Sequence, residues 1–594
     1  RRKNIVLSSI ACGLCALYLK EKSISDDIKK KIYRDILGEE FISVNDDEII
    51  REVFNFIEKY KNDQELDNLL SWSYQYTNNI IKGNIYSRTQ FFTEKYMINY
   101  LIYNISGLQN SEKIVDPCAG GGNFLVECLE FICNNCQETG NDFIQKVKLN
   151  VAKLYGYDID CDITRIALVN IRLRALAILS RRDITVSFKF WDQISPNIFK
   201  SSCSDNICGS LATDNRMVIN ILNGDEIGIN QALGGADVVL TNPPFATIKG
   251  MLSEQKEFLK KNYPDANCDM CVSFFDAIYK MLKPSGICGI VSQNSWMHLK
   301  TFKKIRERIT SQYCIYKIVN LGSGAFQDLS GEKSNVSLIV FGKEVNHSSM
   351  IEVLNIYELS LQEKIKAIKE KNNYIHILQK EIDGANGYDF SERRTLNNIS
   401  LTEKLYKDIA VPMQGTSTGN AKELVGYFWE HFGEPEWVRV SNGGGYCRWQ
   451  GLNDSVVKWG KAGEYIKAQK GSALRNAKYF PVTQMVFSDT GTAGLNVRLL
   501  LDKQIFIASG PGIRITKGNK YAHLALLNSR LASYYIKFMS PKLTIAAGYI
   551  GRIPVAENIY SSVVLEKDAR LCIELKQKIL SSRPGNLEYD SSVI

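Results

Sequence analysis

Between residues 86 and 345, short β-rich runs alternate with stretches of helical periodicity, and this alternation constrains the fold more than any other feature. The runs are Lys113–Pro117, Lys153–Asp160, Met217–Asp225, Ala236–Pro244, Ile287–Gln293 and Val336–Gly342. Strands separated by helices cannot pair as local hairpins, so they predict a parallel sheet built from crossover units, an α/β doubly wound architecture. The flanks read differently. Residues 1–85 have mixed charge and apolar positions three and four apart, which predicts a helical N-terminal domain. Residues 346–400 read as a charged, Asn-rich connector with one helix, Leu361–Lys371. From 401 to 560 Gly and aromatic residues rise together, and 561–594 reads as a closing helix.

A chain of 594 residues suggests three or four domains. Its longest apolar stretch, Ile5–Leu19, is 15 residues with two serines inside. A membrane span needs about 20 apolar residues. The basic Arg1-Arg2-Lys3 head imitates a signal peptide, yet Lys20, Glu21 and Lys22 continue the helical pattern without a small-residue cleavage site. A buried helix is therefore expected, with no membrane partner. The 15 cysteines are an odd number scattered singly through apolar segments, which fits a reducing, cytoplasmic setting. The pairs Cys12/Cys15, Cys133/Cys136 and Cys268/Cys271 have metal-ligand spacing, but i,i+3 is also one helix face, and the five histidines lie elsewhere. No metal is expected.

Charge is concentrated in one region. Residues 401–560 hold 20 Lys and Arg against 11 Asp and Glu, the whole of the chain's +9, so the remainder carries 53 of each sign. That is the bias of a polyanion-binding face. Basic side chains among aromatics suit phosphate contacts with stacking or base-edge contacts, and the candidates are Arg448, Lys461, Lys467, Lys470, Arg475 and Lys478. Four of the seven tryptophans, Trp429, Trp437, Trp449 and Trp459, fall in this region and are read as core in preference to nucleic-acid readout.

Four constellations carry chemistry. In Asp116-Pro117-Cys118-Ala119-Gly120-Gly121-Gly122-Asn123-Phe124 an apolar strand ends in an acid, three glycines follow, and a helix begins. Such a turn lets backbone approach a nucleotide-type cofactor, and the absence of a following Lys-Ser/Thr excludes a phosphate loop. Asp158-Ile159-Asp160 places a carboxylate at the next strand end, able to grip two ribose hydroxyls or to cap a helix. Asn223-Gly224-Asp225 closes another β-rich run and reads equally as an ordinary turn. Thr241-Asn242-Pro243-Pro244-Phe245 ends an apolar strand. Two prolines remove two amide donors and fix φ. The Asn242 side-chain oxygen and the Pro243 carbonyl can then accept both hydrogens of one amino group, while Phe245 offers a face for a planar ring.

With these motifs in this order, the chain resembles N6-adenine DNA methyltransferases that use S-adenosylmethionine, over most of residues 86–560. The resemblance implies a Rossmann-like methyltransferase domain at 86–345 and an α+β DNA target-recognition domain at 401–560. It matches Ser87–Thr93 to the family's opening motif, with Thr93 at the methionine carboxylate. It matches Asp116, Cys118, Ala119, Gly120, Asn123 and Phe124 to the methionine-binding motif, Asp158 and Ile159 to the ribose site, and Asp225 with Glu226 to the adenine site of the cofactor. Glu94 stands where the family usually has Pro, and Glu226 where an apolar residue is commoner. Asn242, Pro243, Pro244 and Phe245 become the catalytic motif, and Gly322–Phe341 supplies a second aromatic against a flipped base, Phe326. Gln414–Asn420, Tyr427–Trp429, Leu526–Ser529 and Ile553–Val555 are similar to the recognition halves of type IIG and BREX-associated PglX enzymes.

The resemblance implies transfer of a methyl group to N6 of an adenine extruded from double-stranded DNA, within a restriction-modification or phage-defence system that can include further subunits. A glutamine- or RNA-directed methyltransferase shares the Asn-Pro-Pro-aromatic site. A non-catalytic DNA-recognition subunit is disfavoured by the intact Asn242 and Phe245. A bifunctional restriction enzyme is disfavoured by the short helical residues 1–85, which lack a metal-binding nuclease pattern.

Overall fold

The computed structural model describes residues 2–21, 24–38, 47–61, 63, 66, 68–82, 93–202, 208–212, 216–297, 299–326, 335–344, 348–370, 373–382, 390, 404–491, 494–539, 544–590 and 592. They fall into two compact units, Arg1–Ser391 and Glu392–Ile594.

The first unit opens with helices α1 (Arg2–Leu19), α2 (Asp26–Leu37), α3 (Asp47–Lys59) and α4 (Leu69–Lys82). Ser25 caps α2, its hydroxyl accepting from the Ile28 amide at 3.4 Å, with Asp26 and Asp27 in the first turn and Arg34 in the last, as the helix dipole favours. The Ile5–Leu19 stretch is a buried helix, and no helix among the described residues is long and apolar enough to cross a membrane. Leu7, Ile10, Leu14, Ile32, Leu70 and Tyr74 share one apolar core with Val169, Leu176 and Ile178 of the long helix Cys161–Arg181. The described helices of the N-terminal stretch thus pack as a layer of the first unit, their apolar faces having the sheet-covering helix as burial partner.

Eleven strands follow: β1 (Ile114–Asp116), β2 (Leu154–Asp158), β3 (Asn197–Ser201), β4 (Met217–Asn220), β5 (Glu226–Gly228), β6 (Ala236–Thr241), β7 (Leu282–Gln293), β8 (Cys314–Gly322), β9 (Val336–Gly342), β10 (Met350–Asn355) and β11 (Ile375–Leu378). They form one sheet in the order β11-β10-β8-β9-β7-β6-β1-β2-β3-β4-β5. Its centre, β7-β6-β1-β2-β3, is parallel. Helices α5 (Lys95–Tyr103), α6 (Asn123–Asn134), α7 (Gly140–Ala152), α8 (Cys161–Arg181) and α9 (Met270–Met281) accompany these strands. Strand β6 is buried along most of its length, as a near-continuous apolar run with both faces covered should be. The expected connector, 346–400, instead contributes β10, β11 and helix α10 (Leu361–Glu370), because Ile351, Val353 and Leu354 are buried in the sheet's core layers.

The second unit holds β12 (Ala410–Met413), β13 (Val425–Tyr427), β14 (Trp437–Ser441), β15 (Ser455–Lys458), β16 (Met485–Phe487), β17 (Val497–Leu499), β18 (Ile505–Phe506) and β19 (Gly512–Ile515). These make two four-stranded sheets, β12-β19-β16-β17 and β13-β15-β14-β18. The wholly buried Arg498 ties them together, donating to Ser488 Oγ at 3.2 Å and Ser441 Oγ at 3.1 Å. Helix α11 (Lys520–Leu527) packs along α12 (Val563–Ser581), with Asn519 Nδ2 donating to Glu566 Oε2 at 2.6 Å and the Arg570 guanidinium 3.8 Å from the Tyr521 ring centre. The C-terminal helix is thus part of this α+β unit.

Candidate functional site

Strand order supplies the site. From β1 the chain steps one way to β2 and β3, and on the other side to β6 and β7, so the β1–β6 boundary is a topological switch point, where a crevice opens beyond the strand ends. Val115 pairs with Val239 in parallel register, so the segments carrying Asp116 and Asn242 leave adjacent strands at the same end of the sheet.

Past β1 the chain makes the glycine turn. The buried Asp116 carboxylate accepts from the Cys118 amide at 3.1 Å, and the Ala119 amide donates to the Tyr157 carbonyl at 2.9 Å. Gly120 N–H donates to Asp158 Oδ2 at 3.0 Å, while Asp160 N–H donates to Asp158 Oδ1 at 3.0 Å. The turn after β1 and the carboxylate ending β2 are therefore one hydrogen-bonded unit. Gly122 sits at φ 84° before α6, and a Cβ there would lie 3.2 Å from the Ala167 Cβ, so the turn and α8 approach as only glycine permits. Asn170, buried on α8, donates to the Gly121 carbonyl at 2.8 Å and to Ser71 Oγ at 2.5 Å. Burial pushes the Asp116 carboxyl up to about 7, opposed by the Cys118 N–H bond, and Asp158 up to about 6, opposed by its two backbone bonds.

These residues fit a nucleoside cofactor with a cationic amino-acid arm. A Cβ at Gly120 would meet only Ile163 Cδ1, 3.9 Å away, so the space over the turn is open because glycine stands there. Two carboxyls raised by burial favour a ligand that brings positive charge and hydroxyl donors. Phe124 is buried in α6, Asn123 begins that helix, and Ile159 is exposed at the end of β2. Thr93 is buried just before α5; the rest of its motif, 87–92, lies outside the described residues.

The second half of the site follows β6. Phe245 is 7% exposed. The turn is fixed from behind: the Met270 amide donates to the Ala246 carbonyl at 2.9 Å, and Ile248 N–H to the Cys268 carbonyl at 3.1 Å. Asp269 caps α9, accepting from the Val272 amide at 3.3 Å, and burial raises its carboxyl to about 7. Phe326 is 6% exposed and belongs to the same apolar cluster as Phe245. Its approach is held at several points. Tyr96 Oη donates to the Ala325 carbonyl at 2.7 Å, and the buried Lys364 of α10 donates to the Ser323 carbonyl. Residues 327–334 of the motif expected around Phe326 lie outside the described residues.

Asp225 and Glu226 are not brought to this place. Strand β4 runs antiparallel to β3, pairing Asn220 with Phe199 and Val218 with Ser201. Its exit, where Asp225 closes a turn into β5, therefore lies at the end of the sheet where the parallel strands begin. Asp225 is exposed there, paired with the Asn223 side chain, and Glu226 is exposed at the start of the edge strand. The third parallel strand is instead Asn197–Ser201, which sequence reading placed before and within a polar insertion. Beyond it Ser210, wholly buried, donates to the Pro117 carbonyl at 2.6 Å, and Tyr263 Oη donates to the Leu211 carbonyl at 2.6 Å. The short apolar Ile198-Phe199 pair was the available signal, weaker than the longer Met217–Leu222 run beside it.

In the second unit Arg448, Lys461, Lys467, Lys470, Arg475 and Lys478 are all exposed. Trp449 and Trp459 pack on apolar cores as expected of core residues, whereas Trp429 is 49% exposed and stacks on Tyr427 with ring centres 4.6 Å apart. Among the described residues no group of three or more His, Cys, Asp or Glu could hold a metal ion.

Residues 68–189 match the family N-6 DNA Methylase, and residues 152–326 match the Eco57I restriction-modification methylase family, together spanning both strand-end motifs. The chain is related to N6-adenine DNA methyltransferases. Families of this kind take their methyl group from S-adenosylmethionine. The chain is 24% identical over 357 residues to the adenine-specific methyltransferase BrxX of Escherichia coli O9:H4 (strain HS), covering 57% of this chain and 29% of that protein. To the adenine-specific methyltransferase PglX of Lacticaseibacillus casei (strain Zhang) it is 22% identical over 559 residues, covering 79% of this chain and 45% of that one. It thus spans under half the length of these curated relatives. The fold is shared with the type IIL restriction-modification enzyme MmeI in complex with DNA, at TM-score 0.55 and 14% identity over 100% of this chain and 84% of that one. It is also shared with the DrdV–DNA complex, at TM-score 0.56 and 12% identity over 98% and 67%.

Proposed function

We propose that this chain transfers the methyl group of S-adenosylmethionine to N6 of an adenine flipped out of double-stranded DNA, in the cytoplasm, as part of a restriction-modification or phage-defence system with or without further subunits. The observation that carries the reading is the shared strand end of Asp116 and Asn242 across the switch point, Asp116 lying in the stretch that the N-6 DNA Methylase family matches and Asn242 in the stretch that the Eco57I family matches.

When bound, the cofactor supplies an electrophilic methyl on a sulfonium. Asp158 is placed to accept ribose hydroxyls, and the ionised Asp116 carboxylate to favour the cationic arm over the glycine turn. Extruding an adenine costs roughly a few kcal/mol of stacking and pairing, which the faces of Phe245 and Phe326 offset. The Asn242 oxygen and the Pro243 carbonyl accept the two N6 hydrogens, which keeps the nitrogen lone pair directed outward for in-line attack. Much of the acceleration then comes from positioning. The exposed basic residues of the second unit favour a long polyanion over a protein glutamine as substrate.

The test is transfer of labelled methyl to unmethylated DNA, with RNA as a parallel substrate and Asn242→Ala protein as control. Label in DNA as N6-methyladenine, lost in the variant while cofactor binding persists, is the expected result. Label in RNA alone, or a folded variant that has lost cofactor binding, overturns the assignment.

A further inference from the structure

The second unit contains a cleft of about 510 Å³ that none of the motifs above accounts for. Its apolar lining includes Met413 at the end of β12 and Pro511, and its polar lining includes Gln414, Asn476 and Asp489. Each of these three polar side chains has part of its hydrogen-bonding capacity engaged by neighbours and part left over. Gln414 Oε1 accepts from Arg475 Nη1 at 2.9 Å, leaving its Nε2 as a donor. Asn476 Nδ2 donates to the Gln414 carbonyl at 2.9 Å, leaving its Oδ1 as an acceptor. Asp489 Oδ1 accepts from Thr490 Oγ1 at 2.9 Å and the carboxylate also takes its own backbone N–H, which leaves lone pairs on a group that offers about four.

The engaged parts fix the orientation of the free ones, so the cleft presents two acceptors and one donor in a preset arrangement. No cation partners Asp489 among the described residues, and burial holds its carboxyl above the usual range. A carboxylate without a cation partner repels a phosphate. It suits an amino group, and the neighbouring amide donor suits an adjoining ring nitrogen or carbonyl. In the major groove adenine offers N6 with N7, and cytosine offers N4 beside the O6 of its paired guanine, whereas thymine and guanine themselves offer only acceptors. Arg475 and Lys478, exposed close by in the chain, take the flanking phosphates.

We propose that this cleft reads one adenine or cytosine of the target sequence from the major groove, with Asp489 accepting the one amino hydrogen that base pairing leaves in the groove, Gln414 donating to the adjoining acceptor, and Asn476 holding the Gln414 backbone in place. The assignment rests on the DNA-methylation reading above and adds to it the place and chemistry of one base contact.

The experiment methylates mixed-sequence DNA with the whole chain and maps N6-methyladenine by sequencing, for wild type, Asp489→Asn and Asn476→Ala. Wild type defines the recognition sequence. Asp489→Asn should lose ~10-fold or more of its discrimination at one position while the others stay as they are. Asn476→Ala should relax the same position or its neighbour. A variant that keeps the wild-type preference at every position, at equal or uniformly lower rate, overturns the proposal. If Asp489→Asn does not fold, Asn476→Ala decides by the same criterion. Wild-type protein that methylates no DNA would overturn the DNA-methylation reading itself, and the role of the cleft with it.

Discussion

Lowering the pH from 7 to 6 should weaken cofactor binding about tenfold, through two carboxyls on one turn. Burial holds Asp116 up at about 7 and Asp158 at about 6. Both must be ionised to hold a cationic arm and accept ribose hydroxyls. At pH 7 roughly half of Asp116 and nine-tenths of Asp158 are ionised, so about 0.45 of the protein is binding-competent; at pH 6 the product is about 0.05. The amino group of the ligand stays largely protonated through this window, its ordinary pKa being about 7.7–8.0, so the change belongs to the protein. Calorimetry in two buffers of different ionisation enthalpy should register release of roughly 0.6 proton on binding at pH 7 and 1.4 at pH 6. Asp158→Asn should reduce the second figure to about 0.9, because only Asp116 then titrates. An affinity flat between pH 7 and 6, with no proton release, would refute the role of these carboxyls.

Further outcomes follow from the same geometry. Without ligand the two raised carboxyls keep protons in the folded state that the unfolded chain has lost, so the stability they contribute is complete below their ordinary pKa and lost as pH rises through about 6 to 7. The apo melting temperature should therefore fall from pH 5 to 7.5, and saturating cofactor should reverse the trend at the upper end. Gly122→Ala forces a side chain into φ 84° and to 3.2 Å from Ala167 Cβ. It should cost about 1–3 kcal/mol in a thermal or denaturant melt, and a change under a few tenths would show that the turn can move off α8. Lys364→Met removes the buried donor to the Ser323 carbonyl three residues before Phe326, an anchor worth about 1.5–3 kcal/mol for a charged hydrogen bond. Fluorescence of 2-aminopurine at the target position should then drop while cofactor affinity holds; an equal loss of both would make Lys364 a general stability residue.

Much of the site was legible because its residues sit at strand ends that their own neighbours define. Ile114-Val115 followed by Asp116 and three glycines admits few structures besides a strand turning into a helix, and the two prolines after Asn242 stop β6 by their own covalent geometry. These are local constraints, carried by spacing within a dozen residues. Helix α1 was legible for a similar reason, its apolar run being too short for a bilayer and too long to leave in water.

The readings that changed concern partners distant in the chain. Met217–Asp225 is strand-like by composition, but composition does not encode direction; β4 pairs antiparallel with β3, and this carries Asp225 to the far end of the sheet. The segment 346–400 looks like a linker from its charge, yet β10 pairs with β8 and α10 sends Lys364 under the approach to Phe326. In the second unit the basic excess pointed to a polyanion, but buried Arg498 spends its charge joining two sheets, and the cleft with unengaged donor and acceptor atoms is lined by Gln414, Asn476 and Asp489. Sequence alone determined where the turns after β1 and β6 fall, since backbone stereochemistry fixes those turns within a few residues. Tertiary structure alone decided which of those ends meet, because strand order, direction and the burial of charge are set by pairing between segments tens to hundreds of residues apart.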